Sequence, residues 1–290
     1  MSKFKDYIQL FRLTQPAGIW LLFLPSLAGV FLALKTINNP VETLGLFAII
    51  EVIFLFLIGS IIMRPAGCII NDILDKKFDQ KVERTKNRPI ASGRISQKEA
   101  LITLTILLAL GLGVLLQFNY VTIINGFCAV ILVVTYPLMK RFTYYPQLFL
   151  GLTFNFGILM ASLATIEIIT VQTVIFYFIC IIWTLIYDTI YAYQDIEDDL
   201  QIGVKSTAIR FKDNPQKFLT TLNLLMFSSL LFLGWIAGFS AEFFLVSLLI
   251  DLFLTFKINK CDFKDRKSCQ KTFNANVWVG VWLVIAIILG

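Results

Sequence analysis

The chain has 290 residues and no histidine. An imidazole general base, a histidine-relayed nucleophile and a histidine-ligated metal are therefore excluded. Charge is also scarce. Asp, Glu, Lys and Arg make up 15% of the sequence while hydrophobic residues reach 58%; soluble globular domains carry about 25% charged residues. A mean hydropathy of +0.79 agrees with that imbalance. A soluble domain is excluded, and the abundance of Leu, Ile, Val and Phe excludes disorder. Cysteine is sparse and unclustered. Cys68, Cys128 and Cys180 sit in or beside apolar stretches, and Cys261 and Cys269 lie in a Lys-rich loop. No CxxC pair occurs, so neither a zinc nor a redox motif of that kind is supported. That loop is assigned below to the cytosolic side, where disulfides are rare. The opening MSKFKDYIQLFRLTQ is polar and lacks the form of a cleavable signal peptide.

Long apolar runs dominate what is present. A membrane-spanning helix needs about 20 predominantly apolar residues. Nine segments qualify, at about 17–35, 44–69, 100–117, 119–138, 147–166, 170–193, 218–237, 240–256 and 274–290. The net charge of +6 would suit a nucleic-acid binder, but the cations cluster in a few short loops, and no nucleic-acid partner is expected. Of the 25 basic residues, all but Lys35 fall on one side of the nine spans. The positive-inside rule then makes the N-terminus and the long loops cytoplasmic. The lipid bilayer is the first expected partner.

Two of the loops on that side are long and acidic. The first holds Asn71, Asp72, Asp75 and Asp79. If the second span continues as a helix, Asn71, Asp75 and Asp79 stand at i, i+4 and i+8. Each such step advances about 400°, so the three share a face with little drift, and Asp72 lies on its adjacent edge. The second holds Asp188, Asp195, Asp198 and Asp199 in YDTIYAYQDIEDDLQIGVKS. Asp188, Asp195 and Asp199 share a face there, with Tyr191 between them. Carboxylates this dense repel each other, so a positive partner is expected. Oxygen ligands without His or Cys suit Mg²⁺ or Ca²⁺ rather than zinc, and Mg²⁺ typically binds one or two carboxylates together with substrate phosphates. Cations follow each cluster: Arg84, Lys86 and Arg88 after the first, Lys205 after the second. They stand where a departing pyrophosphate would need neutralising.

Other charges invite a plainer reading. Lys76, Lys77, Glu83 and Glu197 read as solvated charges at helix ends, and Glu51 and Asp251 stand in spans without a cluster. Asp188 and Arg64 lie inside spans, where an ionisable side chain is a functional candidate by default.

At these residues the sequence resembles the UbiA-type intramembrane prenyltransferase superfamily. RPAGCIINDILDKKFDQKVERTKNRPIASGRIS is similar to its first Asp-rich motif and loop, and WTLIYDTIYAYQDIEDDLQIGVKSTAI to its second. Within it, TQPAGIWLLFLPSLAGV, TYPLMKRFTYYPQLFLG and CQKTFNANVWVG resemble the subgroup that prenylates 4-hydroxybenzoate in ubiquinone biosynthesis. The resemblance covers essentially the whole chain and implies a single intramembrane prenyltransferase domain over residues 1–290. It implies an all-α, polytopic fold of about nine transmembrane helices around a central cavity. It also implies Mg²⁺, a polyprenyl diphosphate donor and a 4-hydroxybenzoate acceptor, with transfer to the ring carbon ortho to the hydroxyl.

Carried over residue by residue, Asn71, Asp75 and Asp79 match the first metal motif and Asp195 and Asp199 the second; Asp72 is counted with them. Arg84, Arg88 and Lys205 become diphosphate-binding candidates, and Arg64 and Arg141 candidates for the acceptor carboxylate or the diphosphate. Asp188 is the candidate base and Tyr191 a candidate for stabilising the allylic cation. The stretch Phe154–Met160 departs from the family pattern, which would place a Trp and a Pro-Met pair there. The expected location is a bacterial inner membrane, with the N-terminus cytoplasmic. Two other readings compete: the same superfamily with a haem, naphthoate, chlorin or glyceryl phosphate acceptor, and an ion-coupled transporter. Transporters place their acids at the midplane of inverted repeats. Here the acids gather at one membrane face and the faint repeat keeps its direction.

Overall fold

The structure is a computed structural model and describes residues 3–290. The helices run in the order α1 (Lys3–Leu10), α2 (Ala17–Leu34), α3 (Pro40–Leu44), α4 (Leu46–Leu74), α5 (Lys76–Asp79), α6 (Gln97–Leu115), α7 (Tyr120–Thr135), α8 (Pro146–Phe154), α9 (Phe156–Ile166), α10 (Val171–Ala192), α11 (Ile196–Ile202), α12 (Thr207–Arg210), α13 (Pro215–Ala237), α14 (Ala241–Lys260) and α15 (Arg266–Leu289). Short 3₁₀ turns at Tyr136–Arg141 and Tyr193–Asp195 extend α7 and α10. No strand occurs among the described residues. Eight of these helical segments are long and apolar enough to cross a membrane. The remaining expected span, 240–256, is α14, 20 residues long, which carries Glu242, Asp251, Lys257 and Lys260 and packs against α13 and α15. The all-α, multi-pass expectation is met.

Burial separates the centre of the bundle from its rim. The apolar windows of α2 and of the segment beginning with α10 are 72% and 67% buried, against 6% for α6 and 17% for the segment beginning with α7. Exposed Leu, Ile, Val and Phe therefore crowd α6 and α7, as expected of helices facing lipid rather than water. Within the centre, α2 lies close against α9. A Cβ at Gly29 would fall 3.1 Å from the backbone of Ile158, so a larger residue there would push the two helices apart slightly. The main core runs from Leu21 and Leu24 through Trp183 and Tyr187 to Leu283 and Ile287.

Two interruptions shape the site end of the bundle. α4 rises about 43 Å over its 29 residues, longer than the roughly 30 Å hydrocarbon core, so its last turns project beyond the bilayer. It ends at Leu74, where the expected continuous helix breaks and α5 begins. The break does not rotate the face. Asp75 N–H still bonds Asn71 C=O at 2.8 Å, and Asp79 N–H bonds Asp75 C=O at 2.8 Å. The second interruption is Asn155, between α8 and α9. Its Nδ2 donates to Gly151 O, Cys180 O and Thr184 Oγ1 at 2.8, 3.1 and 2.8 Å.

The basic loops all meet on one face of the bundle. Lys3 pairs with Glu99 at 2.5 Å and Arg94 with Asp6 at 2.7 Å, which ties α1 to the first turn of α6 and to the loop before it. Lys205 N–H bonds Lys140 C=O at 2.9 Å, and Arg266 reaches Asp198 at 3.1 Å. Lys35 sits apart from them, 5.7 Å from the Phe239 ring. The clustering is the one the charge distribution predicts.

Asn155→Ala removes the buried amide that ties the α8–α9 junction to Cys180 and Thr184 of α10, and losing those hydrogen bonds costs about 1–3 kcal/mol. A several-degree drop in the thermal unfolding midpoint of the detergent-solubilised protein is expected. An unchanged midpoint contradicts the role given to this side chain.

Candidate active site

A cavity of about 280 Å³ opens at the basic face between α2, α4, α8, α10 and the start of α15. Twelve of the thirteen candidate residues line it: Asn71, Asp72, Asp75 and Asp79 from the first cluster, Asp188, Tyr191, Asp195 and Asp199 from the second, and Arg64, Arg84, Arg88 and Lys205 among the cations. The exception is Arg141. It is exposed, donates to Leu74 C=O at 3.0 Å and lies 5.5 Å from the Phe78 ring. The tight turn of the 3₁₀ segment Tyr136–Arg141 sends Arg141 outward and its neighbour Lys140 inward. Arg141 does not line the cavity, and Lys140 does.

The carboxylate repulsion predicted from the sequence is answered by guanidinium groups. Arg12 Nη2 donates to both oxygens of Asp72, at 2.7 and 2.8 Å. Arg88 Nη1 reaches Asp72 at 3.1 Å and Asp79 at 2.9 Å. Across the cavity, Arg84 forms a fork on Asp195, with Nε to Oδ1 at 2.7 Å and Nη2 to Oδ2 at 2.5 Å. The third arm of Arg84, Nη1, donates to Tyr191 OH at 2.9 Å. Burial alone would lower the Arg84 pKa, but Tyr191 and Asp195 outweigh it and hold the pKa above its ordinary value, so the side chain stays cationic. Lys140 pairs with Asp75 Oδ2. Burial raises the Asp75 pKa above its usual range, and Lys140 opposes that shift. Asp199 has no ion-pair partner among the described residues.

The deep end of the cavity is aromatic with isolated charges. Tyr187, Tyr191 and Phe273 pack edge-to-face or tilted, with Tyr191 and Phe273 centroids 4.8 Å apart. Arg64 reaches over the Phe154 ring at 5.4 Å, and its buried Nε has no hydrogen-bond partner. Gly18 makes room for it, since a Cβ there would fall 2.2 Å from Arg64 Nε. Lys205 donates to Phe142 C=O at 3.2 Å and stands 5.5 Å from the Tyr144 ring.

The donor chemistry fits a hard divalent cation. Every candidate ligand is an oxygen, and Oδ1 of Asp75 is buried without a hydrogen-bond partner. No three acidic side chains among the described residues converge tightly enough to enclose an ion unaided. The arrangement therefore suits an ion that completes its coordination with an anionic ligand lying between the two walls.

Sequence reasoning missed Arg12, Lys140, Tyr136 and Phe273 as cavity residues. Arg12 and Lys140 entered only the charge tally that set topology. Arg12 adopts φ 57°, a left-handed conformation that no periodicity signals. Phe273 stands more than 70 positions beyond the second Asp cluster, so only the packing of α15 against α10 brings it in.

An oxygen-lined, cation-edged cavity inside a membrane helix bundle defines an intramembrane enzyme acting on a polyanionic substrate. The model of the UbiA prenyltransferase family matches residues 21–280, and the chain belongs to that family. It is 42% identical over 287 residues to the mitochondrial 4-hydroxybenzoate polyprenyltransferase of Rattus norvegicus, covering 99% of this chain and 75% of that one. The human relative of the same name is 41% identical with the same coverages. Among solved structures, a UbiA homolog from Aeropyrum pernix K1 superposes with a TM-score of 0.71 at 20% identity, over 93% of this chain and 96% of that one. A UbiA homolog from Archaeoglobus fulgidus bound to GPP and Mg²⁺ gives 0.68 at 18% identity, over 98% and 99%. The relatives correct one expectation. They are mitochondrial enzymes of eukaryotes, which points to a mitochondrial rather than a bacterial inner membrane. The multi-pass membrane reading stands.

Arg12→Met leaves Asp72 buried with a single guanidinium. Losing one partner of a buried pair is strongly destabilising. Its thermal midpoint is expected to fall well below that of Lys35→Met, which removes a cation remote from the cavity. Equal midpoints contradict the assignment of Arg12 to the site.

Proposed function

We propose that the chain acts as one domain that transfers a polyprenyl group from polyprenyl diphosphate to the carbon ortho to the hydroxyl of 4-hydroxybenzoate, a membrane step of ubiquinone biosynthesis. The observation that carries this reading is the pairing of two carboxylate walls, each latched by arginine, above an aromatic pocket holding an unpartnered arginine. Relatives near 40% identity over nearly the whole chain bear the name of that activity.

In this reading Mg²⁺ is held by Asp75 and Asp79, with Asn71 and Asp72, on one wall and by Asp195 and Asp199 on the other. When bound it supplies a Lewis acid that neutralises the diphosphate oxygens. The residues of the chain do the rest. Arg84 and Arg88 already stand over the carboxylates, so they can turn their remaining donors onto a diphosphate between the walls. Lys205 and Lys140 add charge at the mouth, where negative charge grows as the diphosphate departs. The allylic group left behind is cationic. Tyr187, Tyr191 and Phe273 present ring faces that attract it and exclude water. The lipid-facing bundle offers an apolar path for the prenyl tail.

Arg64 is the acceptor anchor, because a carboxylate is the natural partner of a buried guanidinium with a free Nε–H. Anchored there, the acceptor extends towards Asp188. A phenol has a pKa of about 10, and Asp188 takes its proton so that the ortho carbon becomes a strong nucleophile. Once the carbon–oxygen bond to diphosphate has broken, the ortho carbon captures the allylic cation; the ring then gives its ortho proton to the departed diphosphate, and the phenoxide takes its own proton back from Asp188.

Three measurements test this. Asp75→Ala and Asp195→Ala should each abolish Mg²⁺-dependent prenyl transfer to 4-hydroxybenzoate in membranes; near-normal turnover in either removes the metal assignment. Arg64→Ala should raise the acceptor KM at least tenfold with little change in the donor KM, and an unchanged acceptor KM overturns the anchor. Lys140→Met strips Asp75 of its ion-pair partner and should lower turnover at least tenfold with the acceptor KM little changed; unchanged turnover contradicts a role for the pair in the site.

A further inference from the structure

Four arginines line the cavity: Arg12, Arg64, Arg84 and Arg88. Three are held by carboxylates, Arg12 on Asp72, Arg84 on Asp195, and Arg88 on Asp72 and Asp79. Arg64 forms no ion pair among the described residues, although Asp188 lines the same cavity. A guanidinium is planar and its donors form a fixed fork, so what it can bind depends on how its plane is held. Carboxylates hold the other three. Arg64 must be held by something else.

Two uncharged neighbours do so. The Phe154 ring, at the end of α8, lies 5.4 Å from Arg64 Cζ. On the α2 side the neighbour is Gly18, the second residue of that helix. A Cβ on Gly18 would stand 2.2 Å from Arg64 Nε, 2.7 Å from Nη2 and 2.8 Å from Cζ. All three distances are inside van der Waals contact, which begins near about 3.5 Å. All three atoms belong to the guanidinium itself. The backbone does not ask for glycine here: Gly45, Gly93, Gly203 and Gly238 adopt positive φ, and Gly18 does not. Glycine inside a helix is less stable than alanine. At position 18 that local disadvantage coincides with the one volume the Arg64 guanidinium occupies against α2.

We propose that Gly18 is a positioning residue that sets the selectivity of the pocket for an anionic aromatic acceptor over a neutral one. The proposal rests on the reading of Arg64 as the acceptor anchor. An alanine at position 18 does not have to move α2, because the atoms it meets are the far end of a flexible side chain. The guanidinium yields instead, and its free Nε–H leaves the place it now holds. An acceptor carboxylate then loses a charge-assisted hydrogen bond. An uncharged acceptor never had that bond and loses little. Selectivity is the difference between the two affinities, so a single methyl group on α2 narrows it without touching the metal-binding walls.

The test uses the full chain in lipid nanodiscs with Mg²⁺ and a polyprenyl diphosphate. It compares 4-hydroxybenzoate with its methyl ester, the ester being read as a substrate or as a competitive inhibitor. Gly18→Ala should raise the KM for 4-hydroxybenzoate about tenfold, while the constants for the ester and the donor stay within about twofold of wild type. The thermal midpoint should hold or rise, since alanine is the better helix former. In an Arg64→Ala background the same substitution should add nothing to the acceptor KM, because no guanidinium is left to displace. An acceptor KM raised by Arg64→Ala but untouched by Gly18→Ala overturns the proposal and leaves the anchor standing. If neither variant moves it, the anchor itself is wrong. A lowered midpoint with acid, ester and donor affected alike would mean that α2 has moved rather than Arg64, and that result overturns the proposal too. So does a full effect of Gly18→Ala in the Arg64→Ala background.

Discussion

The structure depends on how buried carboxylates are kept from repelling one another at the membrane face. Asp72, Asp75 and Asp79 are nearly inaccessible, and each has a cationic partner: Arg12 and Arg88 on Asp72, Lys140 on Asp75, Arg88 on Asp79. Taking a charge out of water is costly unless it is paired. This constraint explains why the N-terminal helix folds back over the cavity, why the loop after α5 is held down, and why the turn after α7 sends a lysine inward. The polar network organises one end of the bundle, and apolar packing of α2, α9, α10 and α15 organises the rest.

The same network makes chemistry on a diphosphate physically reasonable. A carboxylate cluster satisfied by flexible guanidinium groups can exchange some of those contacts for a metal-bridged anion without leaving bare charges. Arg84 shows the principle, because it touches Asp195 and the ring hydroxyl of Tyr191 at once. It links the polar mouth of the cavity to its aromatic floor through one side chain. Glycine at position 18 serves the opposite end by leaving the space that Arg64 occupies.

Much of this was legible in the sequence. Hydropathy marked the spans, and the fourfold spacing of Asn71, Asp75 and Asp79 placed them on a common face despite the break at Asp75. The hydrogen bonds across that break explain why the spacing argument survived it. Arg141 came from the family resemblance; the turn carries it away from the cavity and turns Lys140 in, a choice between two adjacent cations that no motif match resolves. Arg12, Tyr136 and Phe273 were invisible as site residues, since each arrives by tertiary packing from a distant part of the chain. Charge asymmetry fixes the sidedness of a membrane protein but not which membrane it occupies, so the bacterial location had no support in the charges.

The central claim is that the two carboxylate walls bind a prenyl diphosphate through a shared divalent cation. The most direct measurement is the affinity of a non-reactive thiolodiphosphate analogue for the protein in nanodiscs, with Mg²⁺ and with chelator. The account predicts tight binding only with Mg²⁺, and its loss in both Asp75→Ala and Asp195→Ala. Equal affinity with and without the metal would contradict it.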